Sequence, residues 1–143
     1  SGKSVYDNGE HVFPFEKTFI DGKPWYRTNL GWISASYTQG WVLEDNSLWW
    51  YVMPGYSFTV NDWQYIDDKW YYFDNTGYMV KSAWIQYGGN DYYMMADGSM
   101  ATSAYVRSKD PHLNKYYWVN KDGVWEPQWD TPTPDFKKFI LVE

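Results

Sequence analysis

The sequence contains no cysteine, and its Val, Leu and Ile residues are outnumbered by its aromatic residues. Without cysteine, the chain has no disulfide bridge, no thiolate metal site and no cysteine nucleophile. Doubly wound sheets and helical bundles build their cores from branched aliphatic side chains, so their shortage argues against both folds. No apolar run reaches 18 residues and the mean hydropathy is −0.67, which excludes a transmembrane helix.

Basic residues are also in short supply: 12 Lys and Arg stand against 18 Asp and Glu, for a formal net charge of −6. Proteins that bind nucleic acid neutralise phosphates with clustered basic side chains, and this sequence has no such cluster. The two histidines, His11 and His112, lie outside any His-Glu-x-x-His motif, and no Gly-x-Ser-x-Gly elbow occurs. The sequence therefore predicts no nucleic-acid partner, no metal, no cofactor and no catalysis.

Aromatic residues are abundant, with 11 Trp, 15 Tyr and 7 Phe making up 23% of the chain. They recur with a period of about 21 residues, because four units open at Trp41, Trp63, Trp84 and Tyr105. Each opener is followed by an aromatic cluster and then by a closing glycine. The closing glycines are Gly55, Gly77, Gly98 and Gly123. Such self-similarity at a fixed spacing is typical of repeat proteins.

A polar turn divides each unit into two aromatic segments, as Asp67-Asp68-Lys69 does in the second unit and Gly88-Gly89-Asn90 in the third. Aromatic strand, polar turn, aromatic strand and glycine turn together predict a β-hairpin. A single hairpin is marginal in water, so each unit has to bury its aromatic side chains against a neighbour. We therefore expect an all-β fold, a solenoid of β-hairpin repeats of about 21 residues.

The period also predicts three parts of the chain. Residues 1–39 depart from it and are interpreted as a divergent leading hairpin or a small SH3-like segment. Residues 40–125 form the hairpin-repeat solenoid. Residues 126–143 end in the apolar strand Phe139-Ile140-Leu141-Val142, which either caps the solenoid or pairs with a second copy of the chain. Residues 1–20 lack the apolar core of a signal peptide, so for a secreted parent protein the chain would be an excised piece.

Residues 66–79, with the sequence IDDKWYYFDNTGYM, resemble the choline-binding repeat of Gram-positive cell-wall proteins, and residues 98–106 do so as well. From residue 40 to residue 135 the order of elements is similar to the choline-binding tail of streptococcal autolytic amidases. The resemblance implies a left-handed solenoid of hairpins that binds the choline of teichoic acids between consecutive hairpins. It also implies a secreted or cell-surface protein that is associated with the cell wall.

The resemblance further implies which residues bind the ligand, in three successive sites. These are Trp63, Trp70 and Tyr93 with Met79 nearby; Trp41, Trp49 and Tyr72; and Trp84 with Trp118. The third site departs from the pattern, because Asp91 stands where the repeat has a hairpin tryptophan. A ring cage suits a quaternary ammonium, which has no N–H to donate, and each cation–π contact is worth ~0.5–2 kcal/mol. One such site gives roughly millimolar affinity, so attachment to a polymer would come from avidity.

Two pairs of adjacent carboxylates, Glu44-Asp45 and Asp67-Asp68, fall in predicted hairpin turns. Solvated carboxylates lack the burial that raises one pKa for acid catalysis, so we expect the chain to be the binding module of a larger cell-wall hydrolase or surface protein. Two other functions stay open. The rings would stack on the sugars of a glucan in one, and in the other the repeats would form a stalk that dimerises through the C-terminal strand without a ligand.

Overall fold

The structure is a computed structural model. The residues it describes are 16–20, 23–28, 31–34, 40–44, 46–54 and 57–143. Two residues of the predicted pattern, Asp45 and the closing glycine Gly55, lie outside them. The chain divides into two compact units, and each is treated by itself below. Unit 1 comprises Ser1–Gln64 and Phe73–Met79, and unit 2 comprises Tyr65–Tyr72 and Val80–Glu143.

Unit 1 contains a three-stranded antiparallel sheet followed by a hairpin. The strands of the sheet are β1 (Glu16–Ile20), β2 (Lys23–Thr28) and β3 (Gly31–Ser34), which pair in chain order. The hairpin consists of β4 (Gly40–Leu43) and β5 (Trp49–Val52). Its register places Trp41 opposite Tyr51, and Leu43 opposite Trp49. A further hairpin, β6 (Asp62–Ile66) with β7 (Lys69–Phe73), contributes residues to both units.

Unit 2 contains two more hairpins and a short terminal strand. The first hairpin is β8 (Ala83–Tyr87) with β9 (Asn90–Met94), and the second is β10 (Ala104–Arg107) with β11 (Tyr116–Val119). A 3₁₀ turn at Pro127–Trp129 follows, and β12 (Ile140–Val142) ends the chain. The described residues are therefore almost entirely β, and the predicted class, all-β and built of hairpin repeats, is confirmed.

The tight turns explain why these sequences form hairpins. Asp67 and Asp68 have φ of 48° and 65°, and Gly88 and Gly89 have φ of 57° and 82°. Positive φ at both central positions is the type I′ geometry, whose twist matches that of the flanking strands. Glycine adopts this region without cost, and aspartate adopts it more readily than most residues. The polar turns that the sequence predicts are thus two-residue hairpin turns.

One hydrogen bond between consecutive hairpins recurs and defines equivalent positions. The residue two places after a closing glycine donates its backbone N–H to a carbonyl at the start of the second strand of the preceding hairpin. The three bonds are Met79 to Trp49 (2.7 Å), Met100 to Trp70 (2.8 Å) and Trp125 to Asp91 (2.9 Å). Trp49, Trp70 and Asp91 are therefore equivalent, and so are Met79, Met100 and Trp125.

Each unit has its own apolar core. In unit 1 the core consists of Val42, Trp50, Val52 and Tyr78, with Leu48 and Phe58 packed against them. In unit 2 it consists of Tyr93, Ala101, Ala104, Val106, Val119 and Val142, with Trp84, Met95, Tyr117 and Trp125 packed against them. Val142 belongs to β12, which pairs in parallel with β10 and puts β10 at the centre of a three-stranded sheet. The C-terminal strand thus covers an edge of β10 within the same chain.

One of the carboxylates expected in solvent is buried. Glu44 follows β4 directly and is only 3% exposed. Its Oε2 accepts a hydrogen bond of 2.6 Å from the Tyr78 hydroxyl, which comes from a distant part of the sequence. The expectation of a solvated carboxylate is therefore wrong for Glu44, because the tyrosine hydroxyl offsets part of the cost of its burial. It holds for Asp67 and Asp68, which are exposed in their turn.

Candidate ligand-binding site

Three aromatic rings of unit 2 come together around the opener Trp84, which lies on β8 opposite Tyr93. The centroid of the Trp84 ring is 5.7 Å from that of Tyr117 and 6.3 Å from that of Trp125. Tyr117 and Trp125 are themselves 6.0 Å apart, and all three pairs meet at steep interplanar angles of 63° to 79°. The three rings therefore form the walls of a cage instead of a parallel stack.

The rings border a cavity of about 430 Å³. This is within the range of about 300–1,000 Å³ that is common for small-molecule sites. Its other lining residues are Asp91, Ser108, Lys109 and Asp110. Asp91 is the second residue of β9, while the other three belong to the β10–β11 connection, residues 108–115. The apolar walls are thus accompanied by a few charged and polar groups, as in most small-molecule sites.

The indole of Trp125 is held in a fixed orientation. Its Nε1–H donates to both carboxylate oxygens of Asp130, at 3.0 and 3.1 Å. Asp130 also accepts the backbone N–H of Trp118 at 2.8 Å, and its side chain is only 5% exposed. The Lys115 ammonium lies 3.8 Å from the same carboxylate. Because these bonds join groups of the protein itself, this wall of the cavity is preorganised.

Lys109 carries the positive charge of the cavity. Its Nζ lies 5.5 Å from the centroid of the Tyr93 ring, and it donates a hydrogen bond to the backbone carbonyl of Ser82. Next to it, Asp110 accepts the backbone N–H of His112 at 2.9 Å. Lys109 and Asp110 are therefore both engaged by their own surroundings.

Asp91 carries a carboxylate that differs from these two. It is half-buried, and it lies opposite Gln86 in the β8–β9 register. Its backbone carbonyl accepts the Trp125 N–H, but within the described part of the chain its side chain forms neither an ion pair nor a hydrogen bond. An unpaired carboxylate beside three rings makes the cavity suitable for a cation.

A second aromatic cluster, in unit 1, surrounds the opener Trp41. Its ring centroid is 5.2 Å from that of Tyr51, 5.9 Å from that of Phe73 and 6.2 Å from that of Trp49. The side chain of Met79 is 8% exposed, and its N–H donates to the Trp49 carbonyl. Three of the predicted site residues, Trp41, Trp49 and Met79, therefore lie in one part of unit 1.

The other predicted residues are placed as follows. Trp63 is half-buried on β6, and the indole of Trp70 is 44% exposed and 5.1 Å from the ring of Tyr65. The ring of Tyr72 is 6.0 Å from that of Tyr87. Tyr93 is buried against Trp84, at 5.2 Å. The groupings of Trp63, Trp70, Tyr93 and Met79, and of Trp41, Trp49 and Tyr72, as ligand sites stay predictions.

In the third predicted site, the structure brings Trp84 next to Tyr117 instead of Trp118. Side chains alternate along a strand, and the Trp118 ring lies 5.0 Å from Tyr105 and 4.9 Å from Phe139. Trp125 was not singled out from the sequence either. Its signal was present, because Met79, Met100 and Trp125 all stand two places after a closing glycine. The longer β10–β11 connection was a second sign in the sequence that this hairpin differs from the two before it, which have two-residue turns.

Asp97, which lies outside the cavity, is an acidic group whose pKa is shifted by its surroundings. Its partial burial acts to raise the pKa, but hydrogen bonds from the hydroxyl and N–H of Ser99 act to lower it. The Lys69 ammonium, 3.7 Å away, acts in the same direction. The pKa of Asp97 therefore lies below its usual value.

Within residues 40–44, 46–54 and 57–143, His, Asp and Glu side chains do not gather in the groups of three or more that would hold a metal ion. No helix among the residues that the structure describes has the length and apolar character needed to cross a bilayer.

Comparison with known proteins identifies the repeat. Residues 60–105 match a family model described as "Choline-binding repeat". The chain is 31% identical over 95 residues to the lysin of Pneumococcus phage Dp-1, a match that covers 62% of this chain and 32% of the lysin. It is 28% identical over 96 residues to glucosyltransferase-S of Streptococcus mutans, covering 66% of this chain and 6% of that protein. The chain thus spans a third or less of these relatives.

Among solved structures, the choline-binding domain of Spr1274 in Streptococcus pneumoniae superposes with a TM-score of 0.50 at 27% identity. The match covers 64% of this chain and 99% of that domain. It supports the hairpin-solenoid class that the repeat predicts. The resemblance to the choline-binding repeat family is confirmed, and residues 60–105 of this chain carry repeats of that family.

Proposed function

We propose that this chain is a non-catalytic attachment module that binds choline, or a similar quaternary ammonium, of cell-wall teichoic acids in aromatic cages. The observation that carries the proposal is the cavity bordered by Trp84, Tyr117 and Trp125, with the Asp91 carboxylate at its edge. The cavity lies in a chain that carries choline-binding repeats, and one relative is a phage lysin. A secreted or cell-surface location follows from the same proposal.

The chemistry of the cage explains why a quaternary ammonium fits. Such an ion cannot donate a hydrogen bond, so it loses little on leaving water for a site without acceptors, while the negative faces of the rings attract its charge. Three rings at ~0.5–2 kcal/mol each give a few kcal/mol, and about 4 kcal/mol corresponds to millimolar affinity. Binding to a polymer that carries many choline groups gains strength from repetition.

The other predicted aromatic groupings belong to the same proposal. Trp63, Trp70 and Tyr93 with Met79, and Trp41 and Trp49 with Tyr72, would be further sites in the array. The partly exposed Trp70 supports the first grouping, because exposed large apolar side chains are a feature of ligand-binding surfaces. The Trp41 cluster supports the second, because an opener and a hairpin tryptophan lie 6.2 Å apart there.

The test is a choline titration followed through the indole N–H signals of the ¹⁵N-labelled chain, with sodium chloride and glucose as controls. We expect saturable shifts at millimolar choline, including the signals of Trp84 and Trp125. Trp84→Ala should remove the response of Trp125, whereas Trp129→Ala, at an indole that is 61% exposed and outside the cavity, should leave it intact. Choline titration without any shift would contradict the proposal.

A glucan is the second candidate ligand, because one relative is glucosyltransferase-S. Aromatic rings stack on the apolar faces of sugars, and such binding is indifferent to the charge of the ligand. A response to glucose or to a glucan oligosaccharide, together with silence toward choline, would favour this function. Silence toward both, with concentration-dependent sedimentation, would favour a stalk that dimerises.

A further inference from the structure

Two residues that line the cavity of unit 2 differ in type from the residues at the equivalent positions of other repeats. The recurring inter-hairpin bond makes Asp91 the counterpart of Trp49 and Trp70. The same bond makes Trp125 the counterpart of Met79 and Met100. A ring is therefore missing at one of the two positions and present at the other. The cage keeps a full set of rings, and a carboxylate stands where the other repeats have an indole.

The Asp91 carboxylate is available to a ligand. It lines the cavity, and within the described residues its side chain has no hydrogen-bond or ion-pair partner. Lys109 lines the same cavity, but its ammonium is directed to the Tyr93 ring and the Ser82 carbonyl. Asp110 already accepts the N–H of His112 through Oδ1, so Asp91 is the carboxylate of the lining without a hydrogen-bond partner among the described residues.

A carboxylate and a ring reward different features of a cation. A ring attracts the charge of any ammonium ion, with or without N–H groups. A carboxylate adds a short, charge-assisted hydrogen bond only when the ion has an N–H to donate. An N–H-bearing ion loses more hydration than a quaternary one on entering a cage, and the carboxylate is the group that replaces that hydration.

We infer that this cavity selects protonated amines that carry at least one N–H over the quaternary ammonium of choline. The inference rests on the proposed function, because it requires the ring cage to bind cations. An ion with one N–H and two methyl groups fits best, since it bonds to Asp91 and still presents methyl groups to Trp84, Tyr117 and Trp125. The repeats with Trp49 and Trp70 at the equivalent position have no such preference.

The experiment compares four probes: choline, N,N-dimethylethanolamine, N-methylethanolamine and ethanolamine, at a pH near 7 where all three amines are protonated. Binding is read from the indole N–H signal of Trp125, assigned with Trp125→Phe, so that each Kd belongs to this cavity. We expect dimethylethanolamine to bind more tightly than choline. In Asp91→Asn the ratio of the two Kd values should shift toward choline by about tenfold, the effect of losing one charge-assisted hydrogen bond.

Asp91→Asn keeps the shape of the side chain and the backbone carbonyl that Trp125 binds, so it is expected to fold. The matched control is Asp68→Asn, which removes the same charge from an exposed turn where Asn also accepts positive φ. Its Kd ratio should equal that of the wild type. Three results would overturn this inference without affecting the proposed function: an unchanged ratio in Asp91→Asn, an equal shift in Asp68→Asn, or tighter binding of choline by the wild type. If no indole responds to any probe, the proposed function fails as well.

Discussion

Trp41 in unit 1 and Trp84 in unit 2 open their hairpins at the same register position, yet their surroundings differ. Trp41 lies opposite Tyr51 and beside Trp49, which follows the hairpin turn. Trp84 lies opposite Tyr93, but the counterpart of Trp49 in its hairpin is Asp91. The missing ring is supplied by Trp125, from a position that holds a methionine in the other repeats. The repeat thus determines where rings are needed but not which residue supplies them.

The largest expected effect comes from removing the anchor of Trp125. Asp130→Ala leaves the indole N–H of Trp125 and the backbone N–H of Trp118 without their acceptor. We expect the free energy of unfolding to fall by about 2–6 kcal/mol, since each of the two orphaned donors costs about 1–3 kcal/mol. Urea unfolding measures this. Asp122→Ala, at an exposed turn, is the control and should change stability by less than about 0.5 kcal/mol.

A second variant, in unit 1, can be compared with Asp130→Ala to distinguish the roles of the two buried carboxylates. Tyr78→Phe removes the hydroxyl that bonds Glu44 in unit 1 and should cost about 1.5–3 kcal/mol, because the bond is to a buried carboxylate. It should leave ligand binding at the cavity of unit 2 unchanged, whereas Asp130→Ala should weaken it. Equal losses of binding in both variants would contradict the distinction between a stabilising carboxylate and one that orients a ring.

In the cavity, Trp125 supplies a ring where other repeats have methionine, and Asp91 stands where they have tryptophan. Restoring the arrangement of the other repeats tests whether the two positions are interchangeable. Trp125→Met removes one of three rings and should weaken choline binding at the cavity about tenfold, as expected for a desolvated cation–π contact. Adding Asp91→Trp recreates the pattern of Trp49 and Met79 and should restore much of the loss. The measurement is the Kd for choline read at the Trp84 indole signal. If the double variant binds no better than Trp125→Met, the two positions are not interchangeable.

A smaller effect is expected from the ammonium in the cavity. Lys109→Met removes a positive charge from the lining and should tighten choline binding roughly two- to fivefold, because like charges repel. The gain should shrink as salt is raised. Lys138→Met is the matched control, since this ammonium lies 5.6 Å from the Phe139 ring and does not line the cavity. A loss of affinity in Lys109→Met would show that the lysine supports the site.

The smallest effect concerns pH. Because the pKa of Asp97 is lowered in the folded state, its ionised form stabilises the fold above the unfolded pKa of about 3.9, and this contribution is lost as pH falls through the lower folded value. Asp97→Asn should therefore be slightly less stable than the wild type at pH 7, and this difference should close at an acid pH where the carboxylate is protonated in both the folded and the unfolded state. Urea midpoints at the two pH values measure it. A difference that persists at low pH would assign it to another cause.

Much of the fold followed from the sequence because it depends on local signals. The period of the openers, the Gly88-Gly89 turn and the unusual residue Asp91 can all be recognised from short stretches of sequence. Tyr117 and Trp125 were not predicted as site residues, because their place depends on how one hairpin bonds to the next. The burial of Glu44 was missed for a similar reason: its partner Tyr78 is 34 residues away.

The cavity is lined partly by paired strands and partly by the connection of residues 108–115. Trp84 and Tyr117 belong to paired strands, so replacing them disturbs a register that also carries the fold. Ser108, Lys109 and Asp110 belong to a connection between strands, where substitutions are generally tolerated better than within paired strands. The aromatic walls of the cavity and the polar residues of the connection can consequently be mutated separately. A library confined to this connection would retune ligand preference while the hairpin scaffold keeps its stability.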